Sequence, residues 1–338
     1  MAVNIKHTQR VVILMATYNG EKYLTEQINS LISQSYDNWL LVIRDDGSVD
    51  NTLNIINDFV NQDPRISLLT DSLGNSGSPL ANFSHLLLHA KQNFTDQYYM
   101  FCDQDDVWFE NKIERMVFTA EKEPQKELQS PLLIHCDLVV VDENLNLISS
   151  SFMQYQQIKH HNKKPLKHLI TQNFVTGCAT LFNRKLLELA APVNSFAVMH
   201  DWWLALLASS SGKVLFIKQP LIKYRQHSSN QVGALGFWHQ LNPFSSQFKN
   251  LLLNAKLNLI NSFEQSKALL NSINQQKNYK ITSDQKLLLH SYSTLKQQNR
   301  FNRLIICYRL GIFKSTIIYN ILFFSLLLVL KKEPHKNE

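Results

Sequence analysis

Short apolar runs alternate with helical periods over roughly the first third of the chain. Four runs have the length of strands buried on both faces of a sheet: 11–15, 40–43, 66–69 and 98–102. Between them, residues 21–35 and 51–60 place Leu, Ile and Phe at helical spacing. Strands that alternate with helices predict a parallel sheet with helices on both of its faces.

The pattern changes twice further along the chain. Apolar runs at 132–136 and 176–182 predict two more strands, and 202–208 predicts a buried helix. Beyond about residue 236, Asn, Gln, Ser, Lys and Leu dominate, with helical spacing at 251–270 and 287–295. We therefore expect an α/β domain over 1–240 and a C-terminal helical extension over 241–338.

The C-terminal tail carries a long uncharged segment. Residues 315–330 lack charge and as a helix would be about 24 Å long, less than the roughly 30 Å hydrocarbon core of a bilayer. Basic residues flank the segment on both sides: Arg300, Arg303, Arg309, Lys314, Lys331 and Lys332. Such cations suit anionic lipid headgroups, so we favour a membrane-associated helix within about 304–330 over a buried core helix or a full span.

Composition narrows the class of protein further. Of 338 residues, 44% are hydrophobic and 18% charged, which excludes a disordered chain. A net charge of +7 suits a partner that bears phosphates. The four cysteines have no paired spacing, so neither a zinc site nor a disulfide framework is predicted. The N-terminus lacks the apolar stretch of a secretory leader, which predicts a cytoplasmic protein.

Polar residues follow three of the predicted strands. These strand ends are Thr17-Tyr18-Asn19, Asp45-Asp46-Gly47 and Asp103-Gln104-Asp105-Asp106. Ligands bind at the carboxyl ends of strands in open α/β sheets, so we expect these side chains at one site. Neither the P-loop motif nor the G-x-G-x-x-G dinucleotide fingerprint is found in the chain.

The acidic strand end is the most informative of the three. Three crowded carboxylates repel one another unless a cation neutralises them, and oxygen ligands suit Mg²⁺ or Mn²⁺. The alternative is a polar turn in which Asp105 or Asp106 caps the next helix. At the second strand end, a carboxylate can accept a hydrogen bond from a base N–H or a ribose hydroxyl. The alternative is a turn in which Ser48 or Asp50 caps the next helix.

In this order, the motifs ATYNGEKYL, DDGSVDNT and DQDD resemble the nucleotide-binding half of family 2 glycosyltransferases. The resemblance covers roughly 9–230 and implies the GT-A fold, a Rossmann-like mixed sheet with helices on both faces. FCDQDDVW together with HDWW is most similar to the rhamnosyltransferase-type subgroup, which acts on bacterial surface polysaccharides.

The resemblance implies roles on the donor side. Nucleotide and donor contacts would come from Thr17, Tyr18, Asn19, Asp45, Asp46, Asp103, Gln104 and Asp106. Asp105 would be the direct ligand of Mg²⁺ or Mn²⁺, and His227 would complete the metal or diphosphate site. A surface histidine is the alternative for His227.

On the acceptor side, the resemblance makes Asp201 the catalytic base at the head of a helix, with helix capping as its alternative. Gly177 and Cys178 match the acceptor-side loop, where Cys178 is expected to be a packing residue. Trp202 and Trp203 would form an apolar platform for a sugar ring, although core packing is equally compatible with one of them.

The implied reaction is inverting transfer of a sugar, rhamnose being one possibility, from a dTDP- or UDP-sugar. The acceptor would be a saccharide or lipid-linked saccharide at the inner face of the cell membrane. A processive synthase would carry Q-x-x-R-W, and a nucleotidyltransferase would carry a Gly-rich phosphate loop, and neither motif is found. A non-catalytic membrane-docked scaffold and a nucleic-acid-binding protein stay as alternatives, but the basic residues are scattered and no nucleic acid is expected.

Overall fold

The computed structural model of the chain describes residues 9–70, 74–124, 128–227, 246–275 and 281–333, and the side chains of all of these except 246–251. The chain divides into two compact units. The first comprises Met1–Phe152, Val175–Val193 and Lys213–Gly233, and the second comprises Met153–Phe174, Asn194–Gly212 and Ala234–Glu338. The predicted boundary near residue 240 falls outside the described residues and stays a prediction.

The first half of the sheet is parallel, as the alternation of strands and helices predicted. Its strands are β1 (Val11–Thr17), β2 (Trp39–Asp45), β3 (Ile66–Leu68) and β4 (Tyr98–Cys102), in the spatial order β3-β2-β1-β4. They alternate with helices α1 (Leu24–Ile32), α2 (Thr52–Gln62) and α3 (Pro79–Asn93). Thr17 pairs with Asp45 and Met15 with Cys102, so the carboxyl ends of β1, β2 and β4 share one edge.

The second half of the sheet is mixed. Its strands are β5 (Val107–Trp108), β6 (Leu132–Val141), β7 (Leu147–Ser149), β8 (Thr180–Asn183) and β9 (Lys213–Arg225). The order continues β4-β8-β6-β9-β5, with β7 paired to β6. Strand β8 runs antiparallel to β4 and β6, whereas β9 runs parallel to β6. Helix α4 (Lys112–Glu121) follows β5 directly.

The burial of β1 fits its place inside the sheet, between β2 and β4. Every residue from Val11 to Met15 is fully buried, because helices cover both faces of this central strand. On α1, Leu24, Ile28 and Leu31 form the buried stripe that its helical period predicted. Each such aliphatic side chain contributes about 1.5–3 kcal/mol when it is fully buried.

The predicted strand over 176–182 is correct only in its second half. Gly177–Ala179 forms a 3₁₀ turn, and β8 begins at Thr180. The Thr180 hydroxyl donates to the Gly177 carbonyl at 2.7 Å, which closes the turn. Short helices α5 (Phe152–Tyr155) and α6 (Leu166–Leu169) precede this turn, and α7 (Arg184–Ala190) follows β8.

The second unit is helical throughout its longer elements. They are α8 (His200–Ser211), α9 (Ser246–Gln275), α10 (Ser283–Ser293), α11 (Arg300–Leu310) and α12 (Ile317–Val329), with a 3₁₀ turn at Leu295–Gln297. Phe263, Leu289 and Tyr292 are buried between α9 and α10, where the Tyr292 and Ser262 hydroxyls lie 2.8 Å apart.

Helix α12, in the predicted tail, is part of this unit. Its Phe323 and Leu327 are buried, and Arg303 of α11 is fully buried with them. Arg303 donates to the carbonyls of Leu327 at 2.8 Å and Leu330 at 2.6 Å, at the end of α12. Arg303 is therefore not a lipid-facing cation, contrary to the expectation from its position in the sequence. No helix among the described residues has the length and apolar character needed to cross a bilayer.

Candidate active site

The loop after β1 is held by hydrogen bonds to the loop after β2. The Thr17 hydroxyl donates to Asp45 Oδ1 at 2.8 Å. Asn19 adopts a left-handed φ of 48°, its backbone N–H donates to the Ser48 hydroxyl at 2.8 Å, and its side-chain oxygen accepts from the N–H of Val49 at 2.9 Å. The Tyr18 side chain, in contrast, is 53% exposed. The loop is thus a fixed backbone that presents one aromatic ring to solvent.

Asp45 organises the loop after β2. Its Oδ2 accepts from the backbone N–H groups of Gly47 at 3.0 Å and Ser48 at 2.8 Å, and its Oδ1 accepts from the hydroxyls of Thr17 and Ser48. A carboxylate offers about four acceptor positions, so this side chain is fully engaged within the protein. A nucleotide donor group would have to share or displace one of these bonds.

Asp46 fixes the loop that precedes α3. It is buried, pairs with Arg44 at 3.1 Å and accepts from the backbone N–H groups of Ser76 at 2.5 Å and Gly77 at 2.9 Å. Burial alone would raise the pKa of Asp46, but the hydrogen bonds from Ser76, Arg44 and Gly77 outweigh it and lower that pKa. Asp46 is therefore an ionised anchor beneath the predicted nucleotide site.

Gln104 joins the acidic loop to the loop after β1. Its side-chain oxygen accepts from the Tyr18 N–H at 2.8 Å, and its amide nitrogen donates to the Tyr18 carbonyl at 3.0 Å. A Cβ on Gly20 would lie 2.5 Å from that Gln104 oxygen, so only glycine leaves room for this contact. The pair of bonds ties the backbone beneath the Tyr18 ring to the aspartates.

The acidic loop lies against the end of β9. His227 Nε2 lies 2.9 Å from Asp105 Oδ2, and both side chains are partly accessible. Asp106 is fully buried, with its Oδ1 accepting from the Arg225 N–H at 3.2 Å. The structure thus brings Asp105 and His227 together, while Asp106, which was predicted beside the donor sugar, is enclosed by protein.

Two groups of residues here offer ligands to a cation. Ligand atoms of Asp103, Asp106 and Cys178 lie within 4.8 Å of one another. Burial, together with the charges of Asp105 and Asp103, raises the pKa of Asp106 well above its usual range. A thiol is also a poor ligand for Mg²⁺ or Mn²⁺. The accessible carboxylate and imidazole of Asp105 and His227 are therefore the better match for such an ion.

Arg225 is a residue whose role the sequence reasoning missed. Its guanidinium is 2% exposed, donates to the Asp105 carbonyl at 2.8 Å and the Glu143 carbonyl at 2.6 Å, and pairs with Glu26. It also lies 4.5 Å from the centre of the Tyr23 ring. The signal available in the sequence was an arginine two positions before the predicted metal histidine.

Lys112 is a second missed residue. It is fully buried at the start of α4, donates to the Cys178 carbonyl at 2.7 Å and lies 2.9 Å from the centre of the Trp108 ring. Burial lowers its pKa to about 8. Lys112 thereby connects Trp108, just after the acidic loop, to the turn that carries Gly177 and Cys178.

Cys178 itself is buried, and burial beside Asp106 and Asp103 raises the pKa of its thiol well above the usual range. A protonated buried thiol packs as a small apolar group and is a poor nucleophile. Gly177 and Cys178 therefore contribute the shape and the carbonyls of the 3₁₀ turn.

The predicted base lies in the second unit. Asp201 is in the first turn of α8, and its Oδ1 accepts from the Asn173 amide at 3.1 Å and from the Trp202 N–H at 2.5 Å. The N-cap residue of α8 is Met199, which makes no side-chain cap bond. Trp202 and Trp203 are both buried, and the Trp202 indole donates to the Leu169 carbonyl at 2.6 Å. Both indoles therefore pack in the interior of this unit.

A mixed sheet with acidic strand ends and a C-terminal helical region is the architecture of GT-A glycosyltransferases. Among solved structures, a mannosyltransferase from Pyrobaculum calidifontis in complex with GDP-Man and Mn²⁺ matches with a TM-score of 0.51 and 14% identity, covering 96% of this chain and 81% of that chain. At that identity the similarity shows the fold alone.

The family model for glycosyl transferase family 2 matches residues 12–189, more than half of the chain. The chain belongs to this family and is a glycosyltransferase, as the three motifs predicted. The matched range contains the strand-end loops and Cys178, but ends before Asp201 and His227.

Two curated relatives extend the comparison. The dTDP-rhamnosyl transferase RfbG of Shigella flexneri is 31% identical over 65% of this chain and 74% of its own length. The UDP-Glc:alpha-D-GlcNAc-diphosphoundecaprenol beta-1,3-glucosyltransferase WfgD of Escherichia coli is 28% identical over 65% of this chain and 78% of its own length.

Proposed function

We propose that the protein is an inverting, metal-dependent glycosyltransferase that moves a sugar from a nucleoside diphosphate to a saccharide acceptor. The observation that carries the proposal is the acidic loop, in which Asp105 lies 2.9 Å from His227 beside the nucleotide-type loops of β1 and β2. These groups supply the two things a nucleotide-sugar needs, a surface for the base and a charge partner for the diphosphate.

The nucleotide would lie over the loop after β1. Tyr18 offers the exposed ring against which a base can stack, and Gln104 and Asn19 fix the backbone beneath it. Thr17 and Asp46, which are buried, would act by positioning this backbone, and the partly exposed Asp45 would contact ribose or base by sharing one of its loop bonds.

The cation would be held by Asp105 and His227, with Asp103 beside them. A carboxylate oxygen and an imidazole nitrogen are compatible with Mn²⁺, and Mg²⁺ would rely more on Asp105 and the phosphates. When bound, such an ion neutralises the charge that develops on the leaving diphosphate. Arg225 fixes the Asp105 backbone, so that the carboxylate meets the donor in a preset position.

Asp201 would be the base of the displacement. As the acceptor oxygen attacks the anomeric carbon, the bond from that carbon to the diphosphate breaks, and Asp201 takes the hydroxyl proton. The Asn173 amide holds one oxygen of the Asp201 carboxylate. A single displacement of this kind inverts the anomeric centre and needs no covalent intermediate.

Two relatives support the choice of substrates. Similarity to a dTDP-rhamnosyl transferase and to a UDP-Glc enzyme with a diphosphoundecaprenol acceptor supports a dTDP- or UDP-sugar donor. It also supports a lipid-linked saccharide acceptor in the synthesis of bacterial surface polysaccharide. The protein would then act at the inner face of the cell membrane.

The test is release of nucleoside diphosphate from a panel of dTDP- and UDP-sugars, with Mn²⁺, Mg²⁺ or chelator, and with membrane extract as the source of acceptor. We expect release from one donor, abolished by chelator and reduced about 100-fold in Asp105→Asn. Asp58→Asn, which alters an exposed carboxylate of α2, is the matched control and should behave as wild type.

Release that is unaffected by chelator would refute the metal-dependent part of the proposal. Donor binding without turnover, with every acceptor supplied, would favour the non-catalytic scaffold instead. Retention of the anomeric configuration in the product would refute the single displacement and the role of Asp201.

A further inference from the structure

Helix α12 presents an apolar stripe to solvent. Ile317, Ile321 and Val329 are 80%, 61% and 68% exposed, and Ser325 completes their four-residue spacing. Residues four apart lie on the same side of a helix, so the stripe extends for about 18 Å along α12. Phe323 and Leu327 are buried on the opposite side. The helix is therefore docked by one side and open on the other.

Helix α9 continues the same surface. Leu252, Leu253 and Lys256 line a groove together with Leu326 and Val329 of α12, and the groove surface is almost entirely apolar. Leu252 and Leu253 are 36% and 57% exposed. We call this surface the apolar face: Leu252 and Leu253 with Ile317, Ile321 and Val329.

The charged residues from the start of α11 to Lys332 have one sign. Residues 300–332 contain no Asp or Glu. Four cations in that stretch have exposed side chains: Arg300, Arg309, Lys331 and Lys332. Lys256 adds a cation on the groove itself. Two acidic residues border these segments in the sequence, Glu264 of α9 and Glu333 after α12. Both pair with Lys296.

We propose that the apolar face is a docking surface for an anionic lipid bilayer, with the folded helical unit lying on the membrane. Aliphatic side chains would enter the boundary between headgroups and acyl chains, and the flanking cations would contact anionic headgroups. The inference deepens the proposed function, because a protein held on the bilayer meets a lipid-linked acceptor by diffusion in two dimensions.

The mode of attachment differs from an inserted tail. Arg303 is buried against the end of α12, and Phe323 and Leu327 are core residues, so α12 cannot leave the unit without breaking these contacts. A truncation of the tail would remove core residues along with the surface. Substitution of exposed side chains tests docking without that loss.

The experiment is cosedimentation of the full chain with phosphatidylcholine vesicles, with and without phosphatidylglycerol. Wild type should bind the anionic vesicles, and salt should weaken the binding. The triple variant Ile317→Gln, Ile321→Gln, Val329→Gln should lose about 100-fold in partitioning, because three aliphatic side chains no longer enter the lipid. Lys331→Gln with Lys332→Gln should lose about 20-fold.

Two controls separate docking from folding and from catalysis. Leu287→Gln, at a 55% exposed position on α10, should bind as wild type does. Asp201→Asn should also bind fully, because docking requires no turnover. With acceptor solubilised in detergent and no vesicles present, release of nucleoside diphosphate should be the same in the triple variant and wild type, so a failed docking test would leave the proposed reaction standing.

Three results would overturn the proposal. One is a wild-type protein that sediments with neither kind of vesicle. Another is a triple variant that still binds at wild-type strength. The third is that wild type is a dimer, the triple variant is a monomer, and neither protein binds lipid. That result would assign the apolar face to a second copy of the chain.

Discussion

Asp45 and Asp46, which follow β2, differ from Asp105 and Asp201 in what their carboxylates contact. Asp45 accepts from the backbone N–H groups of Gly47 and Ser48 in its own loop, and Asp46 accepts from those of Ser76 and Gly77 in the loop before α3. Asp105 meets the imidazole of His227, and Asp201 meets the amide of Asn173. Asp201 also accepts from the Trp202 N–H of its own helix, so the contrast is between two carboxylates that hold the loops of the first unit and two that we propose act in the reaction.

Asp201→Asn should produce the largest change in activity. The amide keeps the size of the carboxylate but cannot accept the acceptor proton, so kcat should fall about 10³-fold. The donor KM should stay near its wild-type value, because Asp201 is assigned to the acceptor proton and not to the nucleotide. Steady-state kinetics on the donor found by the panel would measure both quantities.

Asp46→Asn is the comparison variant for that prediction. This substitution weakens the bonds from the backbone N–H groups and removes the ion pair with Arg44. Thermal stability should therefore fall and the donor KM should rise, while kcat changes less. Equal kcat losses in the two variants would remove the distinction between loop-building and reacting carboxylates. Circular dichroism would establish that both variants fold.

Lys112 should give the next largest effect, on stability. Its pKa is lowered from 10.5 to about 8 by burial, so the folded state favours the neutral amine. The free-energy cost of keeping a charged ammonium in the folded interior is present in full below about pH 8. It disappears as the pH rises toward 10.5, where the amine of the unfolded chain also loses its proton. Over this window the free energy of unfolding should therefore gain up to about 3 kcal/mol from this residue.

Lys112→Met tests this by removing the charge. Unfolding with urea at pH 7 and pH 10 should show that the variant is more stable than wild type at pH 7 by about 1–2 kcal/mol, since it loses the bond to Cys178 but also the buried charge. That advantage should shrink or reverse at pH 10. Lys122→Met, at an exposed lysine after the same helix, should show no such pH dependence. A pH-independent difference in Lys112→Met would refute the assigned titration.

Much of the fold could be predicted from periodicity, and less of the site. Strands β1 to β4 were found because each contains a short, mainly apolar run between turn residues. The antiparallel strand β8 and the 3₁₀ turn at Gly177 depend on pairing with distant strands, which no local pattern encodes. The need for long-range strand pairing therefore limited how much of the second half of the sheet could be predicted.

For the site, motif residues were located but their partners were not. The bonds of Arg225 to the Asp105 carbonyl and of Lys112 to the Cys178 carbonyl join residues far apart in sequence. Such contacts depend on the folded topology. Arginine and lysine are mostly exposed in proteins, so residue type alone predicts surface positions for Arg225 and Lys112. The buried cations are thus the part that only the structure reveals.

Gly20 and Gln104 offer the finest test of the donor-side loop. A methyl group on Gly20 would lie 2.5 Å from the Gln104 oxygen, so Gly20→Ala must push that side chain off the Tyr18 backbone. Gln104→Ala removes the same bonds directly and leaves space for the methyl. We expect each variant to lower kcat/KM for the donor about 30-fold, through two bonds of about 1 kcal/mol each.

The double variant decides whether the two effects are one. If the methyl acts only by displacing Gln104, Gly20→Ala costs nothing further once Gln104 is alanine, and kcat/KM of the double variant should equal that of Gln104→Ala. If the two losses multiplied instead, Gly20 would act on the donor by a route independent of Gln104. In that case the bonds between Gln104 and Tyr18 would not be what holds the loop beneath the nucleotide.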